Sequence, residues 1–167
     1  MSTLRERRTG LLLAVVAVGL ALDQATKLWI LRGLGFDEYS RIAVTPFLDL
    51  VLVWNRGISY GLLEQDGDLG RWLLVGFSVV AAVVMLVWAL RSTTRLAVVS
   101  LALIIAGALG NMIDRVAYGA VVDFVHLHAL GYSWYVFNLA DVWIVAGVVG
   151  LLYESFRPGH RDAALRD

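Results

Sequence analysis

Apolar positions along the chain gather into four long runs, about 11–31, 72–90, 96–113 and 135–153. Each is near the roughly 20 residues that cross hydrocarbon as a helix. Backbone groups in lipid must bond internally, so helices are the predicted form. Between the runs the pattern changes. "YSRIAVT" and "FLDLVLVW" are β-branched, aliphatic and aromatic, and "GAVVDFVHLH" (119–128) alternates in part, so strands are predicted there. "NRGISYG" (55–61) reads as a glycine-bearing turn. The predicted fold class is therefore all-α membrane protein with minor β. It has four transmembrane helices and a small extracytoplasmic sheet built from both outer segments, about 32–71 and 114–134. The second run holds nothing more polar than Ser78 and reads as scaffold. No Pro- or Ser-rich linker and no internal repeat divides the chain, so 1–167 is predicted to be a single membrane domain.

Composition agrees. The chain is 59% hydrophobic and 17% charged, too apolar for an ordinary soluble domain. Zero formal net charge argues against a nucleic-acid partner. The absence of cysteine excludes disulfides and thiolate metal sites. With four crossings, Arg5, Arg7, Arg8, Arg91, Arg95, Arg157, Arg161 and Arg166 fall on one side. The positive-inside rule makes that side cytoplasmic, with both termini there. Trp29 and Trp72 then lie near the outer interface and Trp88 near the inner one. "RERR" followed by "LLLAVVAVGLAL" has signal-peptide character, but no A-x-A-like site follows and the pattern continues through "KLWIL". The first run is therefore read as a retained span.

The polar residues within and beside these runs need an explanation. Asp23 and Lys27 are four apart and share a helix face near its outer end. They form either an interfacial ion pair or a pair that fixes neighbouring polar groups or substrate. Asn55, Arg56 and Gly57 form either a structural turn or a loop lying along a substrate. In "AGALGNMIDR", Ala106, Gly107, Ala108 and Gly110 predict close helix contact. Packing does not explain Asn111, Asp114 and Arg115, which share a face at the outer end of the third helix. Asp123 of "VVDF" sits among apolar neighbours. His126 and His128 are two apart; a metal site with an Asp is conceivable, but no HExxH-like motif exists. Solvent-facing or interfacial histidines are the default, and no metal is expected. If the fourth helix starts near Tyr135, Asn138 and Asp141 share a face one turn in.

Two carboxylates from different segments, Asp123 and Asp141, are thus expected at one depth. A close pair in a low-dielectric site holds one shared proton. The ionised member can take a proton from water while the protonated one donates to a carbonyl oxygen. This is aspartic-peptidase chemistry, without metal, cofactor or covalent intermediate. Asn111, Arg115 and Asn138 would supply fixed polarity. There is no Cys, and Ser59, Ser78, Ser100 and Ser133 lack an evident His or Lys partner. The D-[TS]-G signature of soluble aspartic proteases and the GxGD of presenilin-type proteases are also absent.

Five motifs in order, "DQATK", "NRGISYG", "GALGNMIDR", "VVDF" and "FNLAD", resemble the lipoprotein signal peptidase (signal peptidase II) family over about residues 10–155. The resemblance implies four transmembrane helices, a periplasmic β-cradle and a short outer helix. It implies a catalytic pair at Asp123 and Asp141. It gives supporting roles to Asp23, Lys27, Asn55, Gly57, Asn111, Asp114, Arg115, Asn138 and Ala140. Such an enzyme of the bacterial inner membrane cuts prolipoproteins just before a diacylglyceryl-modified cysteine. Its partners would be these substrates, membrane lipids and globomycin-type inhibitors, with a lone four-helix unit sufficing as a monomer. The chain departs from the family pattern at Val136, where Pro is frequent, at "VHLH" after "DF", and at Ala106 before "GALGN". None touches the pair. Two other classes remain: a small transporter using Asp23, Lys27 and Asp141 as relay groups, which predicts ionisable residues spread through the membrane, and a non-catalytic assembly factor.

Overall fold

The computed structural model describes residues 2–57 and 68–156. The second half of "NRGISYG", with Ser59 and Gly61, and the tail residues Arg157, Arg161 and Arg166 lie outside the described residues. In chain order the elements are helix α1 (Ser2–Leu28), strands β1 (Arg41–Thr45) and β2 (Leu48–Asn55), helices α2 (Asp68–Arg91) and α3 (Arg95–Tyr118), strands β3 (Val121–Ala129) and β4 (Tyr132–Ser133), and helix α4 (Leu139–Ser155). A π-helical turn, Trp29–Gly33, continues α1. No short helix separate from these four occurs on the sheet side among the described residues.

Among the described residues, three helices are long and apolar enough to cross a membrane: Arg5–Gly33, Asp68–Arg91 and Arg95–Tyr118. Their outward faces expose Leu13, Val18, Leu73, Phe77, Val80 and Val83. Such a continuous apolar exterior fits lipid and not water. The fourth helix is shorter than expected, 17 residues. It begins at Leu139 and not near Tyr135, because Phe137 is held in extended form by Val125: Val125 N–H donates to Phe137 O (2.8 Å) and Phe137 N–H to Val125 O (3.0 Å). Asn138 is therefore the N-cap of α4 and not a helical residue sharing a face with Asp141.

Helix α3 is the central one, packed against the other three. Small residues make this possible. A Cβ on Gly107 would meet the backbone carbonyl oxygen of Ala140, so the α3–α4 contact exists only with glycine there. Gly107→Ala is expected to lower unfolding stability by about 1–3 kcal/mol, measured by thermal unfolding in detergent. Val98, Leu101 and Ala102 of α3 form the apolar core with Leu12 and Ala89.

At the other end of α3, Gly119 adopts φ 80° and its N–H caps the Arg115 carbonyl (3.1 Å). This left-handed residue stops the helix and turns the chain into β3. The predicted sheet is present: four antiparallel strands in the order β1-β2-β3-β4, with both intervening segments contributing. Leu52, Val122 and Phe124 bury its underside on Ile30, which seats the sheet on the end of α1. Trp29 and Trp72 lie half-exposed at this sheet end, and Trp88 at the opposite end.

Candidate active site

Lys27 is the hub of the buried polar network at the sheet end. Its ammonium lies 2.9 Å from Asp23 Oδ2 and 2.7 Å from Asp114 Oδ2, and donates to Asn111 Oδ1 (3.1 Å). At 2% exposure it does not snorkel to the interface; it is desolvated and neutralised by two carboxylates. Of the two readings of Asp23 and Lys27, the pair that fixes neighbouring polar groups is the one that forms.

Each carboxylate of the network then positions another element. Asp23 Oδ1 accepts from the Ala140 backbone N–H (2.9 Å), in the first turn of α4. Ala140 thus acts through its amide, and its buried methyl fits the same close contact. Asp114 Oδ2 accepts from Val122 N–H (3.2 Å), next to Asp123. Gln24 Nε2 joins the two carboxylates, donating to Asp23 Oδ2 and Asp114 Oδ1 at 3.1 Å each. Gln24 was not singled out from the sequence, although an amide beside Asp23 inside an apolar run was a signal available there.

Asp123 and Asp141 meet through two amides. Asn138 Nδ2 donates to Asp123 Oδ1 (2.6 Å) and to Asn111 Oδ1 (3.0 Å). Asn111 Nδ2 donates to Asp141 Oδ1 (2.9 Å). A capping box fixes the second half. Asn138 Oδ1 accepts from Asp141 N–H, and Asp141 Oδ2 accepts from Asn138 N–H. On the other side of Asp123, Asn55 Nδ2 donates to Oδ2 (3.0 Å), while Asn55 Oδ1 accepts from Gly57 N–H (3.1 Å). Arg115 donates to Gly57 O (3.1 Å) and, more weakly, to Asn111 O (3.4 Å). Asp123, Asp141, Asn55, Gly57, Asn111 and Arg115 all line one cavity of about 260 Å³, walled on its apolar side by Leu74, Phe77 and Ile144.

Burial, and then the charge of Asp141, push Asp123 up to about 7, against the hydrogen bonds from Asn55 and Asn138 and the charge of Lys27. Asp123 can therefore hold a proton near neutral pH beside a partly apolar cleft that Asp141 also lines.

Two further polar contacts lie outside this network. Ser133 has a histidine neighbour: its Oγ lies 2.6 Å from His126 Nε2. Glu154 is buried at the opposite end of the helices, bonded to Thr94, the N-cap of α3. Its carboxylate is divided from the Lys27 network by the apolar layer of Leu12, Ala89, Val98, Leu101 and Ala102, so it ties helix ends and continues no polar path.

A bundle of long apolar helices, capped by a sheet that closes a paired-carboxylate cleft, defines a multi-pass membrane protein of the enzyme class. The chain belongs to the signal peptidase (SPase) II family, which it matches over residues 15–157, and is a membrane protease of that family. It is 57% identical over 154 residues to the lipoprotein signal peptidase of Methylorubrum extorquens (strain PA1), covering 92% of this chain and 89% of that one. It is 56% identical over 152 residues to that of Rhodopseudomonas palustris (strain TIE-1), covering 89% and 92%. A bacterial membrane enzyme solved by the in meso method at 2.3 Å superposes with a TM-score of 0.77 at 26% identity, over 87% of each chain.

Proposed function

We propose that this chain is an aspartic endopeptidase that removes signal peptides from prolipoproteins just before the diacylglyceryl-modified cysteine, with Asp123 and Asp141 as the catalytic pair. The observation that carries the reading is the convergence of these two carboxyls, from β3 and α4, on one cavity through Asn111 and Asn138. In the resting site Asp123 carries the shared proton and Asp141 is the base. Asp141 takes a proton from water, and the hydroxide adds to the scissile carbonyl carbon while Asp123 donates to its oxygen. The tetrahedral intermediate then collapses. The C–N bond breaks, the amine takes the proton from Asp141, and the hydroxyl proton returns to Asp123. Asn55, Asn111 and Asn138 hold the carboxyls in place, so the polarity is fixed before substrate arrives.

All four helices cross the bacterial inner membrane in this reading, α4 at the short end of the spanning range. Arg5, Arg7, Arg8, Arg91 and Arg95 lie at the end remote from the sheet, which supports reading that end as the cytoplasmic one. The cleft then opens at the outer face. A lipid-modified substrate is already confined to the bilayer at that depth, which raises its effective concentration. Phe77, Leu74 and Ile144 offer the apolar wall that lipid or a globomycin-type inhibitor would use. Both carboxyls come from one chain, so a monomer suffices in this reading.

The test is cleavage of a purified diacylglyceryl-modified prolipoprotein, with the new N-terminus read by mass spectrometry. Product beginning at any residue other than the modified cysteine would refute the proposed specificity. The pH profile tests the mechanism. Because Asp123 must be protonated and titrates near 7, kcat/KM is expected to fall with rising pH on a single-proton limb centred near that value. A profile flat between about pH 6 and 9 would remove Asp123 from the acid role.

A further inference from the structure

We propose that Asp49, His126 and His128 form a site for one divalent transition-metal ion of the zinc type, held on the sheet away from the peptidase cleft. The strand period places the residues. His126 and His128 are two apart on β3, so both rings stand on one face. Asp49 of β2 is the direct cross-strand partner of His126. One ligand atom from each of Asp49, His126 and His128 lies within 4.8 Å of the other two. Asp49 Oδ2 is 2.9 Å from His128 Nε2 and 3.6 Å from His126 Nδ1. Tetrahedral zinc with bonds of about 2.0–2.1 Å needs its ligand atoms about 3.3 Å apart, between these two values.

The hydrogen bonding is that of ligands and not of a closed polar cluster. Asp49 is 1% exposed; its Oδ2 and the His128 Nε2 beside it make no well-directed hydrogen bond, and the cation that Oδ2 meets is the exposed Arg41 guanidinium. Their 2.9 Å approach lacks the direction of a hydrogen bond. Ser133 Oγ lies 2.6 Å from His126 Nε2, which holds the ring with Nδ1 facing Asp49 Oδ2 across 3.6 Å. In the tautomer with its proton on Nε2, two acceptor atoms face each other there, an arrangement that a cation between them stabilises. The string Ser133–His126–Asp49 is not a nucleophile relay, since 3.6 Å exceeds hydrogen-bond reach.

Arg41 is the competing cation. Its guanidinium lies 2.6 Å from Asp49 Oδ2, but the side chain is 62% exposed and free to swing into water. Two imidazoles with one carboxylate select a zinc-like ion over magnesium or calcium, which prefer all-oxygen shells. Such an ion would bridge β2 to β3, the strands that carry Asn55 and Asp123.

The test uses the full chain in detergent, free of tag histidines and carrying His160→Gln, which leaves His126 and His128 as its histidines. Titration with Co²⁺, read by its visible absorption and displaced by Zn²⁺, is expected to saturate at one ion per chain. His126→Gln and His128→Gln are each expected to weaken uptake at least about tenfold, since even losing a group that only orients a ligand costs that much. Arg41→Gln, at an exposed position, is expected to tighten it. Absence of saturable uptake by the chain with Arg41, uptake unchanged in His128→Gln, or uptake not tightened by Arg41→Gln would each overturn the assignment.

Discussion

Asp141→Asn is expected to give a folded protein that cleaves prolipoprotein at least about 10²–10⁴-fold more slowly, the range supplied by one general acid–base group. Asp123→Asn is expected to fall as far or further. Both changes keep the side chain's shape while removing its acid–base function. In Asp141→Asn one oxygen becomes an NH₂ group. It must face either Asn111 Nδ2 or the Asn138 N–H, both donors, so one hydrogen bond goes with the charge. That costs about 1–3 kcal/mol of stability, which thermal unfolding would register separately from activity. Asp123→Asn carries a different signature. In the folded chain Asp123 titrates near 7, raised from 3.8. The folded state therefore binds more protons than the unfolded state between these values, and its stability falls as pH rises through them. The variant lacks this term, so its unfolding temperature relative to the unaltered chain should improve from pH 4 toward pH 8. Cleavage at the normal rate by either folded variant would end the two-carboxylate mechanism.

Lys27→Met is expected to be the most destabilising single change, by about 3–5 kcal/mol, because it leaves Asp23 and Asp114 buried without their cation. Activity should fall with it. Asp23 holds the Ala140 amide at the start of α4, and Asp114 holds the Val122 amide beside Asp123. Lys27 touches neither member of the pair, yet it fixes the two elements that carry them. Neutralising the whole cluster discriminates charge from shape. The triple variant Lys27→Met, Asp23→Asn, Asp114→Asn is expected to recover most of the stability lost by Lys27→Met alone, because no charge remains buried unpaired. If the single variant unfolds at the same temperature as the unaltered chain, the cluster is not charged in the folded state.

Much of this architecture was legible in residue order. The apolar runs announced α1, α2 and α3, because a lipid environment demands the same pattern whatever the neighbours are. Strand pairing between the two intervening segments was legible in kind, though not in register. The boundary of α4 was misread. An uninterrupted apolar run carries no mark at Phe137, where a bridge to Val125 holds the chain extended until Asn138 caps the helix. Asp23, Lys27, Asn111 and Asp114 were recognisable as polar residues too costly to be incidental, but helix spacing pairs Asp23 with Lys27 and Asn111 with Asp114 without joining the two pairs. Asp49 passed unremarked in "FLDLVLVW", since its neighbours His126 and His128 lie more than seventy positions away in the chain.

Residue order alone implies a membrane setting, an arginine-bearing end and polar residues gathered near the sheet. Those follow from local composition and helical or strand period, which need no partner. The burial of Lys27 between two carboxylates, the link that Asn138 makes from β3 to α4, and the shared cavity of Asp123 and Asp141 emerge with the packed fold. Each of these depends on helices packing at glycine-close distance and on a left-handed turn at Gly119. Such contacts join residues far apart in sequence, where local preference carries no information.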